Sequence, residues 1–171
     1  MANKNYHIYI GKTIDGEFVE KDLERDYPGL VFKSITGLTS YGAPVLYEEE
    51  FAEEEESDVY FPSTVTMKHP DIVLTLYFIG CYADVSAVTD SEKYSAADES
   101  YRQFADFLYG SDLIYWDTIR NRKVKIYLNE AINVKTEKLY GEPYKEVSFT
   151  FKNKYGRSFS LSDPIFSPVY T

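Results

Sequence analysis

"YKEVSFTFKN", residues 144–153, has a period of two: Val147, Phe149 and Phe151 fall on one side, and Glu146, Ser148, Thr150 and Lys152 on the other. Alternation over that length marks an antiparallel strand with one face in a core and the other toward solvent. Upstream, "KVKIYLN" (123–129) puts Val124, Ile126 and Leu128 on a shared face, and "DLIYW" (112–116) reads as the strand before it. "DIVLTLYFIG" (71–80) is apolar on both faces and stops at Gly80, as expected of a buried strand.

The remaining segments extend this pattern toward the N-terminus. "NYHIYI" (5–10) predicts a short strand followed by a turn at Asp15-Gly16, and "LVFKSITG" (30–37) a further strand. Between them, "EFVEKDLERDYPGL" (17–30) is highly charged and reads as a helical turn or an irregular loop ending at Pro28-Gly29. "LTSYGAPVLYEEEF" (38–51) restarts after Gly42 and Pro44. One helix is expected over about 98–109, where Tyr101, Phe104, Ala105 and Leu108 follow i, i+3, i+4, i+7 spacing. Ser95 or Asp98 can cap its start, and Gly110 stands at the C′ position. A polar connection, residues 81–96, precedes it, and "LSDPIFSPVYT" (161–171) has two prolines and no period. That tail is expected to be an extended arm or to cover a neighbour. Eight or nine strands with one helix define a mainly β fold: an antiparallel β-sandwich or barrel with one packed α-helix.

Aromatic residues are 17% of the 171, with 17 Tyr and 11 Phe, enough for a sizeable core. Tyrosine hydroxyls favour a wet edge, so many of these rings belong at surfaces or interfaces. A single cysteine, Cys81, rules out an intrachain disulfide and a cysteine metal cluster. No apolar run suits a signal peptide or a membrane span, which makes a soluble, intracellular chain the default.

Catalytic patterns are missing. His7 and His69 have no ligand or base partner at useful spacing. No serine lies in GxSxG, no phosphate-binding glycine loop occurs, and Cys81 has no basic neighbour in sequence. The expectation is a non-enzymatic protein without cofactor or metal.

Charge is the more informative property. The net charge of −10 argues against general nucleic-acid binding. Residues 1–60 carry 5 basic and 14 acidic side chains, residues 61–119 carry 3 and 9, and residues 120–171 carry 10 and 5. Such polarity either favours head-to-tail contacts between copies or reflects solvated faces. Two clusters stand out. "EEEFAEEEESD" (48–58) holds Glu48, Glu50, Glu53, Glu54, Glu55, Glu56 and Asp58, and an extended tract would put Glu48, Glu50, Glu54, Glu56 and Asp58 on one side. Glycine is absent between residues 43 and 79, so a calcium loop with its sharp turn is excluded there. The tract is either a solvated loop that guards an edge or a surface that repels phosphate. "GSDLIYWDTIRNRKVKIYL" (110–128) gathers Arg120, Arg122, Lys123 and Lys125 beside Tyr115 and Trp116. It reads as one side of a subunit contact, with Tyr115 and Trp116 as the anchors, while the alternative for Trp116 is an ordinary core residue.

The order of "VLYEEEFAE", "DVYFP", "DIVLTLYFIG", the helix "YRQFADFLYG", the "LIYWDT" and "RNRKV" strand pair, "PYKEVSFTFKN" and "GRSF" resembles tail proteins of long-tailed bacteriophages and prophages. The likeness, over roughly residues 30–160, is to the tail-tube fold and to the N-terminal domain of distal tail proteins. It implies a hexameric ring in a virion tail, made in the host cytoplasm, contacting neighbouring tail proteins and passing DNA without specific binding. The Glu48–Asp58 tract would then line the lumen, and the basic cluster would face an adjacent copy. On this reading residues 1–30 are an N-terminal extension with a short strand, 31–160 the ring domain and 161–171 a C-terminal arm. The alternative is a carbohydrate-binding β-sandwich whose tyrosines stack on sugars.

Overall fold

The computed structural model describes residues 8–38, 47–50, 57–60, 70–128, 130, 132–155 and 158–162. The alternating segment is its spine. β10 (Glu142–Asn153) buries Val147, Phe149 and Phe151 completely. Along Tyr144–Lys152 it pairs with β6 (Asp71–Ile79), whose Ile72, Leu74, Leu76 and Phe78 enter the same core. The second face of β6 is only partly covered, and there Thr75 meets Ser148 at 3.2 Å.

The other edge of β10 is divided. β9 (Asn133–Leu139) takes Glu142–Ser148, while β8 (Arg122–Leu128) takes Phe151–Asn153. Past the end of β10, the short β11 (Phe159–Ser160) continues along β8. β8 pairs β7 (Leu113–Asp117), β7 pairs β1 (Ile8–Ile14), and β1 pairs β2 (Glu17–Asp22). β3 (Leu30–Thr36) lies on the far side of β6, with a register shift between Phe32 and Ser34. All of these pairings are antiparallel, and among the described residues nine strands share one sheet. The mainly β expectation holds.

That sheet rolls. α1 (Leu23–Asp26) joins β2 to β3, which stand at opposite ends of the strand order, and Phe32 N donates to Glu24 Oε1 at 3.4 Å. Residues 8–30, expected as an extension, supply Ile8, Ile10, Leu23 and Tyr27 to the common core. Asp15 and Gly16, both at positive φ, make the tight β1–β2 turn that the Asp-Gly pair signals.

The helix is longer than its apolar spacing predicts. α3 spans Asp90–Leu108, because Thr89 Oγ1 accepts from Glu92 N at 3.2 Å and Glu92 Oε2 accepts from Val88 N at 2.8 Å. Thr89, not Ser95 or Asp98, is the cap; "TDSE" is the signal that marks it. The far end matches expectation, with Gly110 at φ 91° just beyond Tyr109. Phe104, fully buried, sets the helix on the sheet, its ring edge-to-face with Tyr27 at 5.0 Å and Phe149 at 5.1 Å.

The connection before α3 contains the helical turn α2 (Gly80–Ala83). A Cβ on Gly80 would stand 2.1 Å from the Lys93 carbonyl oxygen, so α2 and α3 touch backbone to backbone. Gly80→Ala is expected to lower stability by about 1–3 kcal/mol. An unchanged midpoint in urea would show that the two helices part freely.

The last two strands, β4 (Tyr47–Glu50) and β5 (Ser57–Tyr60), form a separate two-stranded sheet.

Candidate functional site

The aromatic-basic segment forms the β7–β8 hairpin. Asp117 pairs with Arg122, leaving the turn to Thr118, Ile119, Arg120 and Asn121. Fully buried, Asp117 organises it: Oδ1 accepts from Ile119 N at 2.8 Å and Arg120 N at 3.2 Å. Oδ2 accepts from Tyr115 Oη at 3.1 Å and Arg120 Nη1 at 2.5 Å. A buried carboxylate is tolerated only with such saturation. Asn121 completes the turn at φ 52°, the left-handed region that asparagine enters more readily than most residues.

The six interface candidates separate by depth. Tyr115 is 1% exposed, and burial together with the Asp117 charge pushes its hydroxyl pKa well above the usual value. Lys123 is equally buried, its ammonium donating to the Leu161 carbonyl at 3.3 Å. Neither side chain offers a surface to another copy, because β11 and the core close over them. Trp116, paired with Lys123 on the face away from Tyr115, is nearly buried, stacked on Tyr9 at 5.0 Å and 16° and beside Phe18 at 6.0 Å. Arg120, Arg122 and Lys125 reach solvent in part. Arg120 is already engaged, held by Asp117 with its guanidinium 5.0 Å from the Phe32 ring centroid. Asp117, which orders the turn, was the residue that sequence reasoning missed; an Asp-Thr pair directly after an apolar strand was its signal.

Within the acidic tract, Glu48 and Glu50 lie on β4 and Asp58 on β5. The register sets Asp58 against Glu49 and Glu48 against Val59. Glu53, Glu54, Glu55 and Glu56 lie outside the described residues. Among the described residues, no group of three or more His, Cys, Asp or Glu could hold a metal, and no helix is long and apolar enough to cross a membrane.

Comparison with solved structures aligns the Dit protein of phage SPP1, a paradigm of the hub adsorption apparatus in phages infecting Gram-positive bacteria, over 92% of this chain with TM-score 0.60 and 12% identity. The chain has the distal tail protein fold. It spans about half of the SPP1 protein, 53% of that length. A chain of the phage P2 baseplate in its activated conformation with calcium is similar too, at TM-score 0.51 and 13% identity over 87% of this chain and 44% of that one. No family model matches the sequence, and no curated protein matches it.

Proposed function

We propose that this chain is a structural, non-enzymatic component of a bacteriophage or prophage tail, located in the virion and made in the host cytoplasm. Copies join side by side into a ring, a hexamer on the distal tail pattern, that contacts neighbouring tail proteins and lets DNA pass. The observation that carries this reading is the distal tail fold over nine-tenths of the chain.

Arg120 and Arg122 at the β7–β8 turn, and Lys125 further along β8, are partly exposed cations suited to registering a neighbour, since rim charges steer association more than they hold it. The Glu48–Asp58 tract faces the bore in this arrangement, where an anionic wall avoids the counterion-release attraction that a cationic one would exert on phosphates.

Negative-stain images of assembled particles should show rings. Replacing Glu53–Glu56 with lysine should slow DNA ejection while leaving rings intact. Unchanged ejection in that variant, or a bore lined by arginine and lysine, would remove the lumen assignment. Saturable glycan binding by a monomer that never forms rings would overturn the function itself.

A further inference from the structure

At the end of the sheet opposite the β7–β8 turn, Tyr77, Ile79, Tyr82, Leu139, Tyr140 and Tyr144 line an open cavity of about 280 Å³. Two walls are set by the fold. Tyr77 and Tyr144 meet edge-to-face at 5.4 Å, and Tyr144 Oη donates to Glu137 Oε2 at 2.8 Å. The remaining wall gives the chain little: Tyr140 is 98% exposed and Tyr82 67%. Tyr140 also occupies φ 50°, beside Gly141 at φ 79°, in the two-residue β9–β10 turn. A non-glycine residue there costs about 1–2 kcal/mol, which this ring does not recover within its own chain.

The cavity falls just short of the roughly 300–1,000 Å³ of drug-sized sites, so it suits one or two side chains of a peptide. Grooves walled by aromatic rings take proline-containing extended segments, whose preset backbone loses little entropy on docking. Residues 163–171, "DPIFSPVYT", place Pro164, Phe166, Pro168 and Tyr170 at alternate positions.

The exit point of that segment decides which copy it can reach. Ser160 pairs with Arg122, four positions along β8 from Ile126, which pairs with Asn153, itself nine positions along β10 from Tyr144. Thirteen positions correspond to about 43 Å along straight strands, less what coiling removes. Leu161 is fixed at the far end by Lys123. Pro168, six residues past Ser162, extends at most about 22 Å. Phe166 and Pro168 therefore fall short of the cavity of their own chain.

We propose that residues 163–171 of one copy dock in the tyrosine cavity of the next, as a strap between adjacent subunits. This rests on the self-association proposed above. Cys81, the single cysteine, lines the cavity and reports on its occupancy.

The experiment uses the full chain and a full-length variant carrying Pro164→Ser, Phe166→Ser and Pro168→Ser. In the unaltered protein, the reaction rate of Cys81 with a thiol reagent should fall at least tenfold as concentration rises. The variant should remain reactive throughout. A synthetic peptide of residues 161–171 should protect Cys81 in the variant, and Tyr82→Ala with Tyr140→Ala should abolish that protection. Protection on assembly that persists in the tail variant would overturn the proposal, because another part of the neighbour would then cover the cavity. Failure of the peptide to protect would overturn it equally, whatever the rings do. Peptide protection without rings in micrographs would support the docking and defeat the ring.

Discussion

Asp117→Ala should destabilise the chain by about 3–5 kcal/mol, since each enclosed donor left without its acceptor costs about 1–3 kcal/mol. The substitution removes the acceptor of two backbone amides, the Tyr115 hydroxyl and the Arg120 guanidinium in one step. Tyr115 is enclosed and its hydroxyl would be left wanting. Asp117→Asn keeps an oxygen for the two amides while losing the charge opposite Arg120, so its cost should be smaller, about 1.5–3 kcal/mol. Urea unfolding followed by the fluorescence of Trp116, the sole tryptophan and the adjacent residue, measures both. An alanine variant within 1 kcal/mol of the parent would show that solvent replaces the carboxylate at the turn.

Phe104→Ala should cost a similar amount, about 3–5 kcal/mol. Its ring meets Tyr27, Phe78 and Phe149, the last two also approached by Tyr101 of the same helix, and so joins residues from four separate stretches of sequence. Phe104→Leu retains most of the volume and should lose clearly less. Calorimetry distinguishes a lowered midpoint from loss of cooperativity, and a small alanine effect would mean that the helix settles onto the sheet to fill the void.

Legibility in the sequence followed burial. β10 and β6 could be read because one face of each is enclosed, which imposes a period on the side chains. β9 could not, since nearly every residue in it is exposed and backbone pairing with β10 holds it in place. β2, an edge strand whose burial is mostly partial, passed for a charged loop for the same reason. The first two turns of α3 are mostly polar and declare themselves only through the Thr89–Glu92 cap. At the candidate site, the basic cluster was visible, but the depth of its members was not. Lys123 is enclosed by residues 159–161, and Trp116 by Tyr9 and Phe18, partners too distant in sequence to be inferred from local pattern.

The central place of β10 has a consequence for biosynthesis. β1 needs β7, more than ninety residues later, and β3 and β6 are completed only by β10, close to the end of the described chain. A ribosome adding about 5–20 residues per second leaves the first hairpin waiting several seconds for its partner. Half-made chains therefore present unsatisfied strand edges to one another on the polysome, and a chaperone that shields nascent chains should raise the soluble yield more than any change to the finished surface.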